Sequence, residues 1–230
     1  MYEMKRIHFK EIDSTNNCAK EKRGEGQDLI ITAERQTGGR GTKGRSFESK
    51  EGGVYLTSLR FYEDFLAKDA FKIMSGAAVA VCETLRFFGL NPVIKWANDV
   101  FVNGKKICGI LIENTLSGNK ISSSIVGIGL NVNTAFEGEL KNIATSMCLE
   151  SGKTFSVETV TEKLMEELLK DRTMEDYHAY LGFMGKRVTL ILGDEHAPAT
   201  LLSVDDEGRL HVEINGEKRI FSSAEVSIWL

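Results

Sequence analysis

Cysteine is scarce and dispersed: Cys18, Cys82, Cys108 and Cys148 form no C-x-x-C pair, and the four histidines show no ligand spacing. Neither a disulfide framework nor a zinc centre is indicated, and no metal site is expected. No stretch reaches the ~20 apolar residues of a membrane span, so no membrane partner is expected and the cytoplasm is the expected location. A surplus of positive charge is missing too. With 29 Lys+Arg against 33 Asp+Glu the net charge is −4, which argues against a general nucleic-acid binder. Repeats and low-complexity linkers are absent. What is left is a globular chain of 230 residues, long enough for one large domain or a main domain with a small appendage.

Against that background one loop stands out, Gly38-Gly39-Arg40-Gly41-Thr42-Lys43-Gly44-Arg45, with four glycines and three cations. Glycine reaches positive φ without a Cβ clash, so such a loop can fold round a ligand and turn its N–H groups inward. Arg40, Lys43 and Arg45 make it a cradle for negative charge. The spacing Gly39 to Gly44 followed by Arg45-Ser46 nearly matches a P-loop, with Arg in place of the phosphate-binding lysine. A P-loop must open a helix, however, and here Gly52-Gly53 and the β-like run Val54 to Leu59 follow at once. The P-loop reading is therefore rejected.

Taken in order, Ile7, Phe9 and Ile12 suggest a first strand, ended by the capping cluster Asp13-Ser14-Thr15-Asn16 before a helix over 17–23. Leu29 to Ala33 reads as a buried strand that delivers Glu34-Arg35-Gln36 to the mouth of the glycine loop. Apolar residues at helical spacing span Ala67 to Phe88, closed by Gly89. Two β-rich runs over 93–113 flank Asn103-Gly104, the preferred pair for a type I′ hairpin. Period-two alternation puts Lys106 on one face with Cys108 and Ile110, where an ammonium needs an anion or a route to water. A strand over 121–132 carries Gly127 and Gly129, and glycines within strands often mark a close approach by a ligand or backbone. Helices are read over 157–169 and 174–183. Five short β-runs from Arg187 to Leu230, separated by turn signals, suggest a small barrel-like appendage.

Five stretches in register resemble the biotin protein ligases: Ser14-Thr15-Asn16; Gln36-x-x-Gly39-Arg40-Gly41-x-x-Gly44-Arg45; Lys95-Trp96-x-Asn98-Asp99; Gly104-x-Lys106-x-x-Gly109-Ile110-Leu111; and Gly127-x-Gly129-Leu130-Asn131. The resemblance implies an α/β (α+β) chain, with a mixed-sheet catalytic domain over 1–183 and a small SH3-like β-barrel over 184–230. It implies an enzyme that joins biotin to ATP as biotinyl-5′-AMP, with Mg²⁺, and then passes the acyl group to a lysine of a biotin carboxyl carrier domain of acetyl-CoA carboxylase or a related carboxylase. Two anions must meet in that chemistry. At ~4 Å they repel by roughly 4 kcal/mol at an effective dielectric of 20, so cations must surround them. On the resemblance, Arg40 and Lys106 bridge carboxylate and phosphate, and Asp99 orients or deprotonates the incoming amine. The biotin ring is expected over Gly109 and Gly127, its polar head held by Ser14, Thr15, Asn16 and Gln36, with Gly39, Arg40 and Lys106 completing the biotin site. ATP falls to Arg40, Gly41, Thr42, Lys43, Gly44, Arg45, Phe47, Asn98, Lys106 and Asn131.

The chain departs from the family pattern at three places. Thr42 stands where a second arginine is common, so the hold on the adenylate is expected to loosen unless Lys43 substitutes. Phe47 replaces a common tryptophan and remains a candidate stacking surface for adenine. Ala97 replaces the proline of K-W-P-N-D. Some relatives add an N-terminal helix-turn-helix and act as repressors; only thirteen residues precede Ser14, so DNA is not expected as a partner. Monomer and homodimer both stay open. The other readings are a lipoate or octanoate ligase or transferase of the same superfamily, and a biotin-binding relative without catalysis.

Overall fold

The computed structural model describes residues 4–229, apart from the Lys43 side chain; Leu230, which closed the last strand read from the sequence, lies outside these residues. The chain opens with β1 (Lys5–Ile12), α1 (Thr15–Lys22), β2 (Leu29–Gln36), β3 (Gly53–Leu66) and α2 (Phe71–Phe87). It continues with β4 (Val93–Lys95), β5 (Asp99–Val102), β6 (Lys105–Ser117) and β7 (Lys120–Asn131). These strands form one sheet in the order β1-β2-β3-β7-β6-β5-β4, in which β1 and β2 run parallel and the other neighbours antiparallel. Helices α3 (Leu140–Ile143), α4 (Met147–Ser151), α5 (Val157–Leu168) and α6 (Met174–Tyr180) follow. The capping box of Thr173 and Asp176 fixes the start of α6.

Side-chain alternation divides the sheet into two unlike faces. Val54 and Leu56 of β3, Val126, Ile128 and Leu130 of β7, and Cys108 and Ile110 of β6 enter the main core with α2, α5 and α6. On the other face, Leu29, Ile31, Leu59 and Ile125 pack under Cys18 and Ala19 of α1. Beyond α1 that second face carries Thr57, Gly109, Gly127 and Gly129 instead of bulky residues, and the missing side chains leave a hollow on the sheet.

The hairpin turn predicted at Asn103-Gly104 is present, with φ of 47° and 80° at the two residues. The facing of Lys106 is a correction. A bulge shifts the β5–β6 register so that Val100 faces Cys108 while Phe101 faces Lys106, and one extra residue re-aims the side chains beside it. The Lys106 ammonium therefore arrives over Gly109, 3.1 Å from where a Cβ would stand, on the hollow face and away from buried Cys108 and Ile110.

The C-terminal strands β8 (Arg187–Leu192), β9 (Glu195–Val204), β10 (Leu210–Ile214), β11 (Glu217–Phe221) and β12 (Ser227–Trp229) form an antiparallel sheet in the order β11-β10-β9-β8-β12. In the region where a small barrel is expected, the described residues pair as this one five-stranded antiparallel sheet. Among the described residues it is joined to the rest through one apolar core and through hydrogen bonds that include Trp96 Nε1 donating to Gly208 O at 2.9 Å and His178 Nε2 meeting Val204 O at 2.9 Å. Gly208 has φ +77°, and a Cβ on it would stand 2.5 Å from Phe71 Cε2 and closer still to Cγ and Cδ2. Gly208→Ala should therefore combine backbone strain with overpacking and cost about 3 kcal/mol. For a chain of this size that lowers Tm by roughly 6–12 °C; thermal unfolding with an unchanged Tm would show that the junction yields freely.

Candidate active site

The hollow is a cavity of about 570 Å³. Its floor is the glycine-bearing face of β6 and β7, one wall is the start of α1 with the end of β2, and the loop 37–52 arches over it. That loop is a small hairpin. Gln36 bridges to Ser49 and Arg40 to Ser46, Phe47 N donates to Gly39 O at 2.9 Å, Gly41 N donates to Arg45 O at 2.7 Å, and a single 3₁₀ turn at Thr42–Gly44 forms the tip. No helix follows the tip before β3, as the rejection of a P-loop requires.

At the closed end lies a buried polar cluster. Ser14, Thr15 and Asn16 are buried, and so is Thr57 beneath them. The Thr15 N–H and hydroxyl both donate to Gln36 Oε1, at 2.8 and 3.0 Å, and Gln36 Nε2 donates to Ser49 Oγ at 2.9 Å. Thr57 Oγ1 donates to Asn16 Oδ1 at 2.7 Å and lies 2.8 Å from Thr15 Oγ1. Asn16 occupies the space that Gly127 leaves free, for a Cβ there would stand 2.8 Å from its Cγ. Ser14 starts α1 but makes no side-chain cap, so its hydroxyl stays free of that task.

At the other end cations gather. Lys106 Nζ lies 2.7 Å from Asp99 Oδ1, an ionic contact outside hydrogen-bond geometry. Lys95 faces Asp99 across the β4–β5 pair, with its ammonium 5.3 Å from the centre of the Phe101 ring and no ion pair among the described residues. Burial pushes the Lys95 pKa below the usual lysine range; Asp99 opposes that, and Lys106 and Arg45 add to it. Arg45 donates to Thr42 O and Thr42 Oγ1 at 3.2 and 2.9 Å, so Thr42 serves as a support for an arginine. Asn98 Nδ2 donates to Ile110 O at 2.9 Å, and buried Asn131 donates to Thr145 O at 3.0 Å. Phe47 stands on the floor, where a Cβ on Gly129 would meet its ring at 2.6 Å and one on Gly109 at 3.3 Å.

Thus Ser14, Thr15, Asn16, Gln36 and Arg40 line the cavity, as do Gly41, Thr42, Arg45 and Phe47 of the loop. Asn98, Asp99, Lys106, Gly109, Gly127 and Asn131 line its far side. Gly39 and Gly44 do not. A Cβ on Gly39 would lie 2.5 Å from Ser49 Oγ and closer to Phe47 O, so this glycine serves the hairpin's own packing, and Gly44 turns the tip at φ +74°. The Lys43 side chain lies outside the described residues. Arg40 is drawn away from Lys106 toward Glu113, with Nη–Oε distances of 3.3 and 3.4 Å. Lys95, quoted in the Lys95-Trp96-x-Asn98-Asp99 motif without a site role, also lines the cavity, and so do residues not singled out from the sequence: Phe136, Leu140 and Ile143, with Ile228 and Trp229 reaching in from the second sheet. Leu140, Ile143 and Trp229 are 38%, 62% and 62% exposed, which makes them an apolar rim open to a flat ring.

A metal cage is not evident. Among the described residues no three His, Cys, Asp or Glu side chains converge, and the lining carboxylates Asp99 and Glu48 each pair with a lysine. Nor is any helix long and apolar enough to cross a membrane among the described residues.

Residues 8–131 match the Biotin/lipoate A/B protein ligase family, and residues 183–229 match the Biotin protein ligase C terminal domain. The chain is 33% identical to the bifunctional ligase/repressor BirA of Bacillus subtilis over 84% of its own length and 64% of that protein's, so it spans under two thirds of that relative. It is 27% identical to a biotin–[acetyl-CoA-carboxylase] ligase of Mycobacterium tuberculosis over 86% and 78% of the two chains. The structure of a biotin protein ligase from Aquifex aeolicus in complex with biotin and ATP superposes with a TM-score of 0.79 at 28% identity, covering 98% of each chain.

Proposed function

Because the chain belongs to the Biotin/lipoate A/B protein ligase family, we propose that it is an ATP-dependent ligase that activates biotin as biotinyl-5′-AMP and transfers it to a lysine of a biotin carboxyl carrier domain. The observation that carries this reading is the buried polar cluster of Thr15, Asn16, Gln36 and Thr57 at the closed end of the cavity. A ureido ring brings two N–H donors and a carbonyl to such a cluster. The dithiolane ring of lipoate brings neither donor nor acceptor of that kind, so it would gain none of the hydrogen bonds, each worth about 0.5–1.5 kcal/mol, that a polar head can add to the cluster. That difference favours biotin over the lipoate reading.

The chemistry follows from the charges. The biotin carboxylate attacks the α-phosphate, a C–O–P link forms, the bond to the β-phosphate breaks, and pyrophosphate leaves. Lys106, over Gly109, meets the carboxylate and the α-phosphate, and Arg45 and Lys95 take the outer phosphates. Phe47 and the rim of Leu140, Ile143 and Trp229 offer faces to the adenine. In the second step a neutral carrier amine displaces AMP from the acyl carbon, and Asp99 receives its proton. Mg²⁺ is read as entering with the ATP phosphates, with no protein cage of its own.

Biotin-dependent ATP–pyrophosphate exchange, run beside a lipoate control, tests the reading; exchange with lipoate alone, or with neither acid, would overturn it. Lys95 gives a sharper check. A half-buried cation with no ion pair among the described residues favours binding an anion, so Lys95→Met should raise the KM for ATP about tenfold, while Lys95→Arg keeps most of the affinity. Only the protonated lysine serves. Its pKa is lowered, so the wild-type KM for ATP should start to rise at a pH below the ordinary lysine range, and this rise should vanish in Lys95→Arg. A pH profile shared by both proteins would remove Lys95 from the phosphate site.

A further inference from the structure

Arg40 is the loop cation that the proposed chemistry needs beside Lys106, yet its guanidinium is committed elsewhere. Nη1 lies 3.4 Å from Glu113 Oε2, Nη2 lies 3.3 Å from Glu113 Oε1, and Nη1 also reaches Asn17 Oδ1 at 3.4 Å. Glu113 sits on the hollow face of β6, four residues beyond Gly109, over which the Lys106 ammonium stands, a Cα separation of about 13 Å at strand spacing. A guanidinium paired at one of these positions and an ammonium seated at the other do not share one substrate carboxylate. If Arg40 is to join Lys106 on the substrate, it has to leave Glu113.

The surroundings of Glu113 make that departure cheap. Lys20 Nζ lies 2.8 Å from Glu113 Oε1, closer than Arg40, and Asn16 Nδ2 donates to Oε2 at 3.4 Å. Burial by itself would raise the Glu113 pKa, but Lys20, Arg40 and Asn16 outweigh it and hold the group ionised. Once Arg40 swings away, Glu113 keeps a lysine counter-ion and an amide, so no half-buried charge is stranded. The arrangement is a carboxylate shared between a fixed cation on α1 and a movable one on the loop.

We propose that Glu113 is a positioning residue that competes with the substrate carboxylate for Arg40, and that Lys20 sets the strength of that competition by sharing Glu113. The inference rests on the ligase reading for its substrate, but the exchange of partners is a property of the chain. Arg40 and Glu113 are 39% and 24% exposed, so their pairing is worth little beyond the range of surface ion pairs. The expected effects are correspondingly a few-fold.

The experiment uses full-length wild type, Glu113→Gln and Lys20→Met, with biotin affinity read by calorimetry and loop opening by hydrogen exchange over residues 38–46. Glu113→Gln releases Arg40, so biotin should bind about fivefold tighter, and the loop should exchange faster without biotin. Lys20→Met removes the competing cation, so Glu113 grips Arg40 harder, biotin should bind about threefold weaker, and the loop should exchange more slowly. A merely structural Glu113 would shift both variants the same way, and that result overturns the proposal. A loss of kcat in both with KM for biotin untouched would also overturn it, by moving Glu113 into the chemical step. If Glu113→Gln fails to fold, Lys20→Met, altered on the surface of α1, carries the test. Should the wild type bind no biotin, the ligase reading falls, while opposite shifts in loop exchange would still support the Arg40–Glu113 exchange of partners and shifts of one sign would refute it.

Discussion

Replacing Lys106 with methionine is expected to lower biotin-dependent ATP–pyrophosphate exchange by about 10²–10³-fold, the range seen when one preorganised electrostatic contact to a transition state is lost. Methionine keeps the length of the stem and its packing on Gly109, so what disappears is the charge. Asp99 then loses its 2.7 Å partner and faces two incoming anions. At ~4 Å each would repel it by roughly 4 kcal/mol at an effective dielectric of 20. Both terms act on the adenylation step. Transfer from chemically made biotinyl-5′-AMP to the carrier lysine should suffer less, because the anions have already been joined. A second variant, Lys106→Met with Asp99→Asn, separates the terms: it removes the stranded carboxylate and should recover part of the adenylation rate while losing transfer, if Asp99 takes the amine proton. Full exchange activity in Lys106→Met would withdraw Lys106 from the reaction, and equal losses in both half-reactions would point to a general disturbance of the site.

Lys106 also shows how far the sequence alone could be followed. Its expected place at the site came from the family resemblance that Gly104-x-Lys106-x-x-Gly109 helps to carry, but plain alternation sent it to the wrong face. The bulge beside Val100 that turns it onto the hollow depends on how β5 pairs with β6, and no local pattern announces a bulge of this kind. The Asn103-Gly104 turn was legible because its chemistry is local, and the floor glycines were legible because strands rarely spend glycine without reason. Glu113, Lys20 and Trp229 were not. Glu113 lies 73 residues from the Arg40 it binds, and Trp229 arrives from a separate sheet whose strands were read correctly but whose seat on the first sheet was not. In the appendage, turn signals located the five strands, whereas their pairing order from β11 to β12 is a long-range outcome. Residues that act through sequence-distant partners leave no periodic trace, and they are the ones the fold had to supply.

Gly127→Ala tests the closed end of the cavity and should have the largest effect on biotin itself. A Cβ at this position would stand inside the van der Waals shell of Asn16 Oδ1 and 2.9 Å from its Nδ2. Asn16 has no easy retreat. Its Oδ1 accepts from Thr57 at 2.7 Å, its neighbour Thr15 is tied by N–H and hydroxyl to Gln36, and the helix behind it is packed through Cys18 and Ala19 onto Leu29 and Ile31. The methyl must therefore expel the amide from the cluster, leaving the buried Thr57 hydroxyl with Thr15 Oγ1, at 2.8 Å, as its remaining partner. We expect a loss of about 1–3 kcal/mol in stability and a biotin Kd raised about 10²–10³-fold, since two or more hydrogen bonds to the polar head go together. Binding of a non-hydrolysable ATP analogue, at the Lys106 end, should change little. A double variant decides between steric and chemical causes: adding Asn16→Gly to Gly127→Ala removes the overlap, so Tm should recover while biotin affinity stays lost, a non-additivity that only contacting residues show. Recovery of affinity along with Tm would mean that Asn16 only fills space. In that event the polar recognition of the substrate head would rest on Thr15 and Gln36 alone.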